Sequence, residues 1–99
     1  MGAPAVPISM TGSDETLYTV GSGQMATFRG FTVRETGGTN SATVIIYDNT
    51  ASSGTIIETV SLTAGESRSE FYETGKHLNK GIRVDYGGSG TVQGSVFYS

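Results

Sequence analysis

Ala42-Thr43-Val44-Ile45-Ile46-Tyr47-Asp48 is the densest β-forming run of the chain, rich in β-branched and aromatic residues and free of glycine. Turn chemistry bounds it on both sides, Gly37-Gly38-Thr39-Asn40-Ser41 before and Asn49-Thr50-Ala51-Ser52-Ser53-Gly54 after. Val44 and Ile46 lie on one face, Ile45 and Tyr47 on the other. A strand apolar on both faces is expected to be internal, with strands flanking it and cover on each side.

Working outward, short strand candidates recur at sandwich spacing. Residues 17–20 come first, followed by a hairpin turn at Gly21-Ser22-Gly23. Residues 25–35 form a longer strand in which Phe31 and Val33 share a face while Phe28 has the opposite parity, so Gly30 is expected to mark a bulge or bend. Residues 55–62 place Val60 and Leu62 inward, and the Ile56-Ile57 pair signals a slip in register. Thr63-Ala64-Gly65-Glu66 reads as a turn, although Thr63 and Glu66 also fit a helix capping box. Residues 67–73 are expected to form a strand with a wet face. Residues 81–86 and 91–98 close the chain as a hairpin around Gly87-Gly88-Ser89-Gly90. No window of 11 or more residues shows the helical period. The expected fold is all-β, a single small antiparallel β-sandwich or jelly roll of seven to eight strands.

The totals agree with one thin-cored domain. The chain has 99 residues, a net charge of −3, and no cysteine or tryptophan. Size scaling predicts that roughly 64% of the unfolded surface is buried on folding. Without cysteine there is no disulfide framework and no thiolate ligand or nucleophile. A pI near 4.9 lacks the basic excess of a nucleic-acid binder. No apolar run approaches a membrane span, and the N-terminus has no signal-peptide pattern, which gives the expectation of cytosolic synthesis.

Residues 1–15 are set apart as an extended arm, with the sandwich over residues 16–99. Residues 1–13 hold both prolines and no charged side chain. Val6, Ile8 and Met10 alternate with Pro7, Ser9 and Thr11, a strand periodicity with a proline that only an edge strand tolerates. One reading is a frayed terminus. The other is an arm that is mobile in the free protein and is ordered against a neighbour by strand addition. Val6, Pro7, Ile8 and Met10 are therefore candidate interface residues, and deleting residues 2–12 is expected to leave the melting temperature nearly unchanged.

Candidate chemistry is sparse. His77 is the only histidine, and no serine sits in a Gly-x-Ser-x-Gly elbow. Glu66, Glu70 and Glu73 lie along one strand and do not face each other across a cleft as a glycosidase pair does. Asp48-Asn49 and Asp14-Glu15 lack calcium-loop spacing. No catalytic, cofactor-binding or metal-ligating residue is assigned. Lys76, His77, Lys80 and Arg83 fall within eight residues, just after the acidic stretch. This basic loop can complement an acidic strand of an identical subunit or another protein, or it is ordinary surface charge. Lys76, His77 and Lys80 join the candidate interface.

Lys80-Gly81-Ile82-Arg83-Val84-Asp85-Tyr86 with Gly90-Thr91-Val92-Gln93-Gly94-Ser95-Val96-Phe97-Tyr98 has a distinctive cadence. Together with Ser41-Ala42-Thr43-Val44-Ile45-Ile46-Tyr47-Asp48, Ser53-Gly54-Thr55-Ile56-Ile57 and Leu62-Thr63-Ala64-Gly65-Glu66-Ser67, it resembles small β-sandwich virion structural proteins of tailed bacteriophages. The likeness covers residues 31–98 and leaves out the arm. It implies a non-enzymatic capsid decoration or cement protein without cofactors, made in the host bacterial cytoplasm and carried on the virion surface. The implied partners are the major capsid protein and further copies of the chain, a trimer being favoured, with no nucleic acid and no membrane. A tail, neck or baseplate component, or a carbohydrate-binding module of a fibre, is the alternative.

Overall fold

Turn residues cut the chain into segments too short to bury an apolar face alone, so eight strands pair into two sheets and cover one another. The computed structural model describes residues 5–99. Its strands are β1 (Val6–Ser9), β2 (Glu15–Thr19), β3 (Ala26–Glu35), β4 (Ala42–Asp48), β5 (Thr55–Leu62), β6 (Ser67–Leu78), β7 (Gly81–Gly88) and β8 (Val92–Tyr98). No helix occurs among the described residues. One sheet has the order β1-β8-β3-β6 and the other β2-β7-β4-β5. All pairings are antiparallel. β1 pairs β8, β2 pairs β7, β3 pairs β6 and β4 pairs β5, so the chain is one long doubled-back ribbon rolled until β8 meets β3 and β7 meets β4. That is the jelly-roll arrangement.

β4 is internal, flanked by β5 and β7, as its sequence predicts. Ala42, Val44, Ile46 and Asp48 face the core, while Thr43, Ile45 and Tyr47 remain partly exposed. The expected cover on both faces is therefore present on one only, because a two-layer sandwich has no third layer. Phe28, Phe31 and Val33 of β3 and Val92 and Val96 of β8 meet Val44, Ile46, Val60, Leu62, Ile82 and Val84 from the other sheet. Removing each such large side chain from water contributes roughly 1.5–3 kcal/mol.

Both sequence signs of irregularity correspond to register breaks. One lies between Phe28 and Gly30, where Arg29 alone faces residues 72–75 of β6. The other lies between Ile46 and Tyr47, opposite Ile57. At Gly30, φ is 151°, and a Cβ would run into the Glu70 carbonyl oxygen and lie 2.9 Å from the Phe71 ring. The ring of Phe71 occupies that space and meets Phe97 at 5.2 Å between centroids.

Two expected hairpins are corrected. β2 and β3 lie in different sheets, and so do β7 and β8. Their glycine-rich connections are arches over the ends of the sandwich, built from the same residues that make a tight hairpin turn. The 63–66 segment is a turn and not a helix: the Glu66 N–H donates to the Thr63 carbonyl at 3.0 Å and the Thr63 N–H to Glu66 Oε1 at 2.8 Å. The capping-box pair thus exchanges its bonds around Gly65, whose φ of +76° suits the third position of a type II turn.

The N-terminal segment also differs from its expected place. Within residues 1–15, Val6–Ser9 pair with Tyr98–Ser95 as the edge strand of their own sheet, and residues 1–4 lie outside the described part. Met10 is only 7% exposed and belongs to the core. Strand addition is satisfied within the chain, because β8 offers a free edge beside an apolar row that Ile8 and Met10 can cover. Deleting residues 2–10 is accordingly expected to lower the melting temperature by roughly 5–15 °C. A thermal scan showing no change would mean that this strand is not docked in solution.

Candidate functional site

Two acids sit where apolar residues belong. Glu35 continues the inward row of Phe31 and Val33 on β3, and Asp48 that of Val44 and Ile46 on β4. They are the only buried charged side chains among the described residues, 0% and 8% exposed. A buried carboxylate is costly unless hydrogen bonds replace its water. Each finds those bonds in the backbone of the neighbouring loops.

At one end of the sandwich, Glu35 Oε1 accepts the N–H groups of Gly38 at 2.7 Å and Gly65 at 2.9 Å. Its Oε2 accepts those of Gly37 and Thr91, both at 2.9 Å. One carboxylate therefore clamps the β3–β4, β5–β6 and β7–β8 connections. The bond from Gly65, then those from Thr91 and Gly38, outweigh burial and hold its pKa at about 2, against an ordinary 4.5.

At the opposite end, Asp48 Oδ1 accepts the N–H groups of Asn79 (3.1 Å), Lys80 (2.9 Å) and Gly81 (3.2 Å). Its Oδ2 takes a second contact from Asn79 at 3.0 Å. Burial pushes its pKa up, but these bonds and the nearby His77 prevail and hold it below the ordinary carboxylate value. Both acids thus act as anionic clamps on loop amides.

The expected interface residues fall into two groups that the fold separates. Val6, Pro7, Ile8 and Met10 lie at the β1 edge of the first sheet, and Lys76 and His77 on β6 at its other edge. Val6 and Pro7 are exposed, Ile8 is half-buried, and Met10 is buried. Lys76 lies over the Tyr72 ring, 4.7 Å from its centroid. Tyr72 in turn donates to Glu58 Oε2 at 2.6 Å, joining β6 to β5 across the sandwich. Lys80 offers its backbone to Asp48 and leaves its side chain exposed, and Arg83 pairs with Asp85 at 2.8 Å. The basic residues are therefore partly engaged within the chain.

The sequence reading missed Glu35 and Asp48 as structural centres. A signal was present, since each is an acid that ends a core-facing row just before a turn, and Glu35 precedes Gly37-Gly38 by two residues. A surface depression of about 340 Å³, open to solvent, is bordered by Thr32, Arg34, Ser67 and Gln93 on the outer face of the first sheet. No cluster of three potential metal ligands occurs among the described residues, and no helix is long and apolar enough to cross a membrane. Comparison of the chain with protein-family models, with curated proteins and with solved structures finds no match.

Proposed function

We propose that this protein is a non-enzymatic virion structural protein of a tailed bacteriophage, of the capsid decoration or cement type, which binds the outer capsid surface and stabilises the shell. The observation that carries the reading is the use made of its buried acids: Glu35 and Asp48 bind loop amides at the two ends of a jelly roll. A small domain whose loops are tied down in this way presents a fixed surface, which suits many identical weak contacts on an ordered lattice. The turn and strand-end likeness over residues 31–98 supports the same role. The major capsid protein is the proposed partner.

Quantitative mass spectrometry of purified particles tests the proposal. Hundreds of copies per virion, together with co-sedimentation of added protein with undecorated shells, are the expected result. A handful of copies would transfer the protein to the tail, neck or baseplate. Absence from particles would overturn the reading.

A further inference from the structure

β6 is an edge strand, and its first five residues, 67–71, face β3 in unbroken register from Arg34 to Gly30. Hydrogen bonding alternates along an antiparallel ladder. The Glu35 N–H donates to the Glu66 carbonyl at 2.9 Å, so Arg68 and Glu70, two and four residues on, also turn their backbone groups toward β3. Ser67, Ser69 and Phe71 turn theirs away, toward the free edge. All five residues are exposed, and Phe71 is 61% exposed. An uncovered edge of this kind is a template for another strand.

The charges specify which strand. We propose that residues 67–71 pair antiparallel with the same segment of a second copy, about a two-fold axis through Ser69, to join two four-stranded sheets into one of eight. Ser69 then exchanges both backbone bonds with its symmetry mate, and Ser67 pairs with Phe71 of the other copy. Arg68 falls opposite Glu70 of the other copy, twice, at the non-hydrogen-bonded positions where cross-strand side chains lie closest. Sliding the register to the neighbouring two-fold arrangements sets Arg68 against Arg68 or Glu70 against Glu70. The charge order therefore selects one register and rejects its neighbours. In the single chain Arg68 has only a 3.4 Å contact with Glu66, both side chains being partly exposed, so it is available for the pairing.

This arrangement is a dimer, distinct from the trimer implied by the virion resemblance, and it stands or falls apart from the capsid reading because it is measured without particles. Sedimentation equilibrium of the full chain up to several hundred micromolar is the test. The expected result is a reversible dimer whose dissociation constant rises by at least about tenfold in Arg68→Glu and returns to near the wild-type value in the exchanged pair Arg68→Glu/Glu70→Arg. Ser69→Pro removes an N–H that faces the free edge and is not needed by β3; it is expected to be monomeric while retaining the β-type circular dichroism spectrum. A wild-type monomer or trimer over this range would overturn the proposal. So would a dimer with the same dissociation constant in Arg68→Glu and Ser69→Pro.

Discussion

Glu35→Gln is expected to lower the melting temperature at pH 7 by about 10 °C or more, since unpaired buried donors are among the costliest defects in a small domain. The substitution preserves shape but turns one acceptor oxygen into an NH₂ group. Two of the four loop amides now bonded to Glu35, from Gly37, Gly38, Gly65 and Thr91, would then face a donor. The remaining two would lose the charge that strengthens their bonds. The pH dependence carries the same signature. The folded pKa of about 2 lies below the ordinary 4.5, so the contribution of Glu35 is complete above about pH 5 and is lost as the pH falls toward 2. Wild-type stability should therefore fall more steeply across that interval than that of Glu35→Gln, and the two melting curves should converge near pH 2. Parallel pH profiles, or a variant as stable as the wild type at pH 7, would show that the clamp contributes little.

Ile46→Ala is expected to destabilise the protein by about 2–5 kcal/mol, from lost transfer energy plus the cavity left behind. Ile46 is 0% exposed, in the internal strand of its sheet, and faces the other layer. Ile45, one residue away, is on the outer, half-exposed face, and Ile45→Ala should cost less than about 1.5 kcal/mol. Denaturant titration of both variants measures the difference. Equal losses would mean that the two faces of β4 are equally covered and that the two-layer arrangement is wrong.

These two positions mark the boundary between what local residues dictate and what they leave open. The limits of β4 and β5, the breaks at Gly30 and Ile57, and the absence of helical periodicity were legible because they follow from side-chain alternation and turn chemistry within a few residues. Glu35 and Asp48 were less so. Their parity placed them on the core faces of β3 and β4, but their partners come from positions up to 56 residues away in sequence, and no local pattern says which amides a carboxylate will meet.

By itself the sequence determined an all-β chain, the extent of its central strand and the short lengths of its turns. It also carried the order of charges along residues 66–73. Only the tertiary structure decided that the glycine-rich connections after β2 and β7 are arches between sheets, that residues 6–9 form the edge beside β8, that Ile46 faces inward rather than Ile45, and that the free side of β6 is an edge at all. The physical reason is the range of the forces involved. Strand propensity and turn preference act over neighbouring residues, whereas the choice of sheet partner depends on burying apolar faces and satisfying backbone groups between segments distant in the chain.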